Sequence, residues 1–163
     1  MMTEILTERL LLRRARQDDL SDLHRILSDP VATRYWSTPP HADRDVTQTW
    51  LDSMMDTTKG RDDFVVVYEG QVIGKIGCYQ PPDLGFIFSK DVWGKGLTRE
   101  AARAYIDHAA KGSLTYLTAD VDPHNAVCLG FLAHLSFKTT GFASRTWLVG
   151  DTWCDSVYLR RDL

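Results

Sequence analysis

A tight glycine turn between a strand and an amphipathic helix constrains the fold of this chain more than any other feature of its sequence. Residues 83–88 predict a strand, Trp93-Gly94-Lys95-Gly96 predicts a turn, and apolar side chains then recur at helical spacing over residues 97–109. The first main-chain N–H groups of a helix have no partner within it, and the helix dipole favours negative charge at that end. The turn therefore predicts an anion site, with phosphate as the natural ligand.

Two nucleotide-binding signatures fail to match this turn. A Walker loop needs Ser or Thr after Gly94-Lys95, where Gly96 stands, and it needs a glycine five positions before Gly94, which is absent. A Rossmann turn needs a third glycine where Arg99 stands, although Asp120 lies one strand away, where a ribose-binding acid belongs. An NAD-binding oxidoreductase therefore stays a minor alternative, and a tight strand-to-helix turn that binds no ligand also stays open.

The remaining pattern predicts one α/β domain over residues 1–163 with a mixed sheet. Strands are predicted over residues 8–14, 64–69, 71–79, 83–88, 114–121, 137–142, 146–149 and 153–159. Helices are predicted around residues 18–27, 42–54, 97–109 and 126–135. Glu69-Gly70 indicates a hairpin turn, and Asn125 suits a helix N-cap.

Composition and charge narrow the function classes. The chain has 163 residues, 44% of them hydrophobic, and its formal net charge of −3 argues against a general nucleic-acid binder. Its longest apolar stretch, residues 64–68, is far shorter than the ~20 residues of a membrane span, and its N-terminus lacks the pattern of a secretory signal. Three widely spaced cysteines and five scattered histidines favour neither structural disulfides nor a metal site. We expect a cytoplasmic protein that binds no nucleic acid, membrane or metal.

Five blocks of the sequence, spread over nearly the whole chain, carry a family resemblance. They are Thr7 to Arg13, Asp83 to Phe86, Trp93 to Ala101, Asp122 to Asn125 and Leu135 to Phe137, in that order. Together they resemble the GNAT superfamily of acyl-CoA-dependent N-acetyltransferases, and within it the RimJ/RimL-like branch. The resemblance implies a single α/β (α+β) domain, in which a mixed central sheet has two splayed parallel strands and is flanked by helices.

The resemblance also implies how acetyl-CoA, the co-substrate of this family, is held. It would lie in the V-shaped gap between strands 84–88 and 114–121, with its pantetheine along the first strand and its pyrophosphate on the N–H groups of residues 94–98. The implied cofactor-binding residues are Phe86, Ile87, Phe88, Trp93, Gly94, Lys95, Gly96, Leu97, Thr98 and Asn125. Asn125 thus has two roles open to it, a helix N-cap and a cofactor contact.

Four positions depart from the family pattern. Asp91 stands where a Gln or Arg often contacts phosphate, and Ser136 replaces a common glycine before Phe137. Leu132 occupies the position at which many GNAT enzymes have a general-acid tyrosine, and Cys128 stands where RimJ/RimL relatives commonly have serine. The missing tyrosine and Asp91 leave a second function open, that of a catalytically silent acyl-CoA-binding sensor.

Acetyl transfer to an amine requires a base for the amine and a proton for the departing thiolate. An alkyl amine with a pKa of about 10 is mostly protonated at neutral pH, so a carboxylate or histidine has to accept its proton. Asp83 is the candidate base, at a position that is often Glu in the family, although a solvated strand start would also suit an aspartate. Cys128 is the candidate donor to the thiolate, although a lone cysteine on a helix face is more often a small buried hydrophobe.

The acceptor is expected between the loop that joins the first two helices and the late strands, because this loop often covers the acceptor in the family. The candidate residues are Tyr35, Trp36, Thr38, Pro39, His41 and, on a late strand, Asp155. The resemblance implies direct transfer, in a ternary complex, to a primary amine at a peptide N-terminus or on a small molecule. A homodimer is predicted from five tryptophans and an exposed β edge near the C-terminus.

Overall fold

The computed structural model describes residues 3–163, in which an eight-stranded mixed sheet carries helices on both faces. The strands are β1 Ile5–Leu6, β2 Leu10–Arg13, β3 Asp62–Tyr68, β4 Gln71–Gln80, β5 Asp83–Phe88, β6 Tyr116–Val121, β7 Lys138–Val149 and β8 Thr152–Asp162. The helices are α1 Leu20–Leu27, α2 Arg44–Met55, α3 Leu97–Ala110 and α4 Ala126–His134. The strand order is β1-β2-β3-β4-β5-β6-β8-β7, which confirms the predicted fold class.

Alternation along the strands builds a separate core on each face of the sheet. On β3, Phe64 and Val66 point to the face on which α3 and α4 pack, while Val65 points to the face of α1 and α2. Burying each such side chain stabilises the fold by about 1.5–3 kcal/mol. The helices α1 and α2 cover only part of their face, and the uncovered part forms the floor of the cavity described below.

The sheet splits between β5 and β6, which form the one parallel pair among the described strands. The two strands are in register at a single position, Asp83 with Thr118, where the Thr118 N–H donates to Pro82 O at 3.0 Å. On its other edge β6 pairs along its whole length with β8. Beyond Asp83, therefore, β5 has a free edge, and a gap opens along residues 84–88 as the splayed strands of the prediction require.

The late strands depart from the predicted elements. The strands predicted over 137–142 and 146–149 form one strand, β7, because pairing with β8 resumes after an irregularity between Ala143 and Trp147. Arg145 lies in this irregularity with a positive φ of 55°, and its N–H donates to the Asp155 side chain at 2.8 Å. No strand is predicted at Ile5–Leu6, since two residues are too few for a period-two pattern.

No helix within residues 3–163 is long and apolar enough to cross a membrane. Over the same residues, no group of three or more His, Cys, Asp or Glu side chains is arranged to hold a metal ion.

Candidate active site

The glycine turn before α3 leaves a row of main-chain N–H groups without partners. Gly94 and Gly96 adopt left-handed φ values of 78° and 76°, which a residue with a Cβ resists. Within the part of the chain that the structure describes, none of the N–H groups of residues 94–99 donates to another protein group. The N-terminus of α3 adds the positive end of its dipole at Gly96. The turn thus has the geometry that an anion site requires.

Arg9 and Glu100 hold this turn in place from the side of β2. The Arg9 guanidinium donates to Lys95 O at 3.1 Å and pairs with Glu100 at 2.7 Å. The Thr7 hydroxyl donates to the same carboxylate at 2.6 Å. The first block of the family resemblance therefore supports the turn, a role that no local sequence signal predicts, because Arg9 and Lys95 are distant in the chain.

The register of β5 decides which of its main-chain groups face the gap. The Ser89 N–H donates to Ile73 O at 2.8 Å, so alternate residues of this segment, Ile87 among them, bond to β4. Phe86 and Phe88 hold the intervening positions and direct their N–H and C=O groups toward the gap. Ile87 is therefore not available for the predicted main-chain contact with a cofactor, because its polar groups are used within the sheet.

Trp93 lies against the end of β5. Its indole Nε1–H donates to Phe88 O at 3.2 Å, and half of its surface is exposed. This hydrogen bond joins the residue before the glycine turn to the free edge of β5. The two predicted parts of the cofactor site, the strand edge and the turn, are thereby held next to each other.

Helix α4 carries three of the residues discussed above. Asn125 Oδ1 accepts from the Cys128 N–H at 3.2 Å, so Asn125 is the N-cap of α4. Cys128 is partly buried, and burial raises the pKa of its thiol to about 11. Because an ordinary thiol has a pKa of about 8.5, proton transfer from Cys128 to a thiolate runs uphill. Leu132 is fully buried in the core and has no proton to donate.

A cavity of about 560 Å³ opens on the α1 and α2 face of the sheet, beside the split between β5 and β6. It joins Tyr35, Trp36 and Thr38, from the loop between α1 and α2, to Asp83 and to Asp155 on β8. Further aromatic walls come from α2, β4 and β7, in the side chains of Trp50, Tyr79 and Trp147. Most of the predicted acceptor residues are thus brought together around one space.

His41 and Pro39 do not line this cavity. His41 is 7% exposed, and its Nδ1 lies 2.7 Å from the Thr47 hydroxyl, which also bonds His24. Burial lowers the pKa of His41, and the charge of His24 lowers it further. The predicted contact of His41 with the acceptor is therefore wrong, because the loop folds this side chain back against α1 and α2.

Asp83 lies where the cavity meets the split in the sheet. Its Oδ1 accepts a hydrogen bond from the Thr118 hydroxyl at 3.1 Å. Desolvation by the cavity walls raises the pKa of Asp83 above its usual range, although the residue keeps an exposed surface; the bond from Thr118 opposes this shift, and the negative charge of Asp120 adds to it. A carboxylate with a raised pKa accepts a proton more readily, so both its position and its electrostatics suit a general base.

Asp120 and Asp122 line the cavity as well, although the sequence pattern predicts no acceptor role for them. The Trp147 indole donates to Asp120 at 2.9 Å, and the His124 N–H donates to Asp122 at 2.8 Å. Their period-two spacing after Thr118 places them on the face of β6 that carries the cavity. This alternation is visible in the sequence, but it predicts a place in the cavity only when the face of β6 that packs against the core is known.

The comparison with protein families decides the assignment. Residues 9–138 match the family model described as the acetyltransferase (GNAT) domain. The chain belongs to the GNAT acetyltransferase family. It is an N-acetyltransferase, and acetyl-CoA is its acyl donor. The predicted family is confirmed, and the alternative of an NAD-binding oxidoreductase is wrong.

Known relatives and solved structures agree with this GNAT assignment. The chain is 30% identical over 151 residues to the uncharacterised N-acetyltransferase p20 of Bacillus licheniformis, covering 86% of this chain and 85% of p20. Spermidine N-acetyltransferase from Vibrio cholerae, solved with CoA and spermine, superposes with a TM-score of 0.82 at 16% identity over 96% of each chain. The acetyltransferase from Salmonella typhimurium that modifies the N-terminal serine of ribosomal protein L7/L12 gives 0.86 at 14% identity over 99% of each chain. At these identities the two solved structures support the fold alone.

Proposed function

We propose that this enzyme transfers the acetyl group directly, within a ternary complex, to a primary amine that enters the cavity as an ammonium ion. The observation that carries the proposal is the cavity, in which Asp83 lies between aromatic walls and the split of the sheet. The acceptor side and the donor side of the reaction meet at this residue.

The donor side fits acetyl-CoA in two places. The free N–H groups of residues 94–99 and the dipole of α3 suit its pyrophosphate. The free N–H and C=O groups of Phe86 and the free N–H of Phe88 suit the amides of its pantetheine, in the way that an added strand pairs with a sheet edge; the Phe88 C=O is held by Trp93. Lys95, on the turn, and Asn125, at the start of α4, are further proposed contacts along this path.

The acceptor side favours a cation. The carboxylates of Asp83, Asp120 and Asp155 have no cationic partner among the described residues, while that of Asp122 lies 2.9 Å from the His124 ring. Against them the lining contributes one guanidinium, that of Arg34, and the ammonium of Lys75, which is paired with Asp63. Neutral donors hold three of the carboxylates: the Thr118 hydroxyl, the Trp147 indole and the Arg145 main-chain N–H. Their negative charge therefore remains available to an ammonium, and the aromatic walls add a cation–π attraction of about 0.5–2 kcal/mol.

The chemistry then follows from where Asp83 lies. Asp83 takes one proton from the bound ammonium, which leaves a neutral, nucleophilic nitrogen. Bound acetyl-CoA supplies a thioester, whose C–S bond breaks as the new C–N bond forms. On becoming an amide the nitrogen loses a second proton, and this proton neutralises the departing thiolate of CoA. The edge of β5 next to Asp83 directs main-chain N–H groups into the gap, where they can polarise the thioester carbonyl.

Cys128 has a minor part in this proposal. With a pKa of about 11 its thiol stays neutral, so we assign it a hydrogen bond toward the sulfur of the cofactor and no proton transfer.

The proposal is tested by measuring thiol release and acetylated product with primary amines and with short peptides. We expect product with a primary amine, a KM for that amine that rises with salt, and a further rise of about fivefold in Asp120→Asn. Asp45→Asn is the matched control, since Asp45 is exposed at the start of α2 and outside the cavity. Tight binding of acetyl-CoA without product from any primary amine would contradict the proposal, and is the behaviour of the predicted acyl-CoA sensor.

We also propose that two copies pair through β7. This strand forms one edge of the described sheet, and the side chains of Phe142, Leu148 and Trp153 near it are 60%, 53% and 45% exposed. An edge strand with exposed apolar side chains readily pairs with another chain. Light scattering should give the mass of a dimer, and Phe142→Lys should give that of a monomer. A monomeric wild-type protein would contradict this arrangement.

A further inference from the structure

A buried ion pair lies in the wall of the acceptor cavity and takes no part in the proposed chemistry. Lys75 on β4 and Asp63 on β3 both line the cavity, with side chains that are 5% and 3% exposed. Lys75 Nζ lies 2.6 Å from Asp63 Oδ1. The two charges attract, yet among the described residues Asp63 Oδ1 has no partner in a favourable hydrogen-bond direction. The ammonium at 2.6 Å compensates the charge of this enclosed oxygen, so the groups of the pair that stay open to a ligand are the other N–H donors of Lys75 and the second oxygen of Asp63.

The strand register places this pair on the same face as Asp83 and at a distance from it. Lys75 is in register with Ile87, four residues along β5 from Asp83. Asp63 is level, through Gly77, with Gly85, two residues from Asp83 and two strands from β5. Residues two or four apart on a strand point to the same face, and two strand spacings of ~4.8 Å with two residues at ~3.4 Å put the Asp63 backbone about 12 Å from that of Asp83. On β5, Gly85 lies between Asp83 and Ile87, with no heavy atom within 4 Å of the position of a Cβ. An acceptor whose amine is at Asp83 can therefore extend over Gly85 toward the ion pair.

The chemistry of the pair favours an uncharged polar group. The Lys75 ammonium has three N–H donors, one of which faces Asp63 Oδ1, and Asp63 Oδ2 accepts no hydrogen bond from the described residues. A hydroxyl or a carboxamide can accept from Lys75 and donate to Asp63 at the same time. A second ammonium would meet Lys75, and a carboxylate would meet Asp63, so either would add a like charge to a buried site.

We propose that Lys75 and Asp63 form a specificity site that recognises a hydroxyl or carboxamide on the acceptor, remote from the reacting amine. This inference rests on the proposed acetylation of a primary amine at Asp83. It makes the enzyme selective for amines that carry a second, uncharged polar group, as amino alcohols and amino amides do.

A substrate series that changes only the far end of the acceptor tests the specificity site. Amino alcohols of increasing chain length, alkylamines of matched length and matched diamines are compared by kcat/KM at saturating acetyl-CoA. We expect the best amino alcohol to exceed its alkylamine by at least about tenfold, and to exceed its diamine as well. Equal values for the alcohol and the alkylamine, or a higher value for the diamine, overturn the specificity site and leave amine acetylation intact. Product from none of these amines overturns the proposed function and this inference with it.

Variants of Lys75 and Asp63 give a second, independent test of the specificity site. Lys75→Met with Asp63→Leu replaces the pair by apolar side chains without leaving an unpaired buried charge, and should reduce the alcohol-to-alkylamine ratio to about one. Lys90→Met is the matched control, since Lys90 pairs with Asp29 outside the cavity, and it should keep the wild-type ratio. Where the double variant does not fold, Asp63→Asn, which preserves the side-chain shape, should lower the ratio. An unchanged ratio in a folded variant of the pair overturns the proposal.

Discussion

Replacement of Gly94 by alanine tests whether the glycine turn holds acetyl-CoA through its main-chain N–H groups. Gly94 has a φ of 78°, and no heavy atom lies within 4 Å of the position of the new Cβ, so only the backbone conformation resists the substitution. The left-handed region costs a residue with a Cβ about 1–2 kcal/mol. Because the turn is exposed, we expect it to relax to a negative φ, which turns the N–H groups of residues 94–96 away from the anion.

Binding of acetyl-CoA then has to restore the positive φ of residue 94, and the free energy that this requires lowers the affinity for the ligand. At about 1.4 kcal/mol for each factor of ten, a cost of about 1–2 kcal/mol raises the dissociation constant roughly 5- to 30-fold. Calorimetric titration with acetyl-CoA and with CoA measures this change. Both ligands should weaken equally, because they share the pyrophosphate.

Two other glycine-to-alanine variants separate backbone strain from a loss at the cofactor site. Gly60, after α2, has a φ of 68° and equally open surroundings, so Gly60→Ala should lower the melting temperature and leave the affinity for acetyl-CoA unchanged. Gly130, within α4, has open surroundings and no positive φ, so Gly130→Ala should stabilise the helix by about 1 kcal/mol. An affinity of Gly94→Ala within about twofold of wild type would refute the reasoning.

Three further variants address the acceptor side and α4. Asp83→Asn should lower kcat by about 10²- to 10⁴-fold and remove the fall in rate at low pH, as a pH–rate profile of both proteins would show. Because the pKa of Asp83 is raised on folding, its charge destabilises the folded protein above that pKa; Asp83→Asn should raise the melting temperature at neutral pH, and this gain should fade as pH falls. Cys128→Ala should keep kcat within about threefold in a thiol-release assay, because a thiol with a pKa of about 11 is a poor acid. Trp36→Ala should raise the KM for the amine about tenfold, while calorimetry shows an unchanged affinity for acetyl-CoA.

The glycine turn shows what local sequence can predict. The positive φ values of Gly94 and Gly96 and the free N–H groups at the start of α3 depend on adjacent residues, so the pattern of strand, glycines and amphipathic helix predicts them directly. The supporting contact from Arg9 to Lys95 lies outside this pattern. It depends on how β2 packs beside α3, which no short segment specifies.

His41 shows where such prediction ends. The prolines before it predict a loop, and the loop does reach the acceptor cavity through Tyr35 and Trp36. The direction of the His41 ring, however, is set by Thr47 on α2, which also bonds His24 on α1. A side chain in a loop can turn either way, and contacts with two separate helices decide which.

By itself the sequence determined the α/β class, the order of nearly all strands and helices, and the turn with the geometry of an anion site. These features follow from periodicity and backbone preference, which act over a few neighbouring residues. Only the tertiary structure decided that β5 and β6 part after Asp83, that Ile87 bonds to β4, and that Lys75 meets Asp63 in the cavity wall. Strand register and loop packing set these features, and both depend on contacts between residues far apart in the chain.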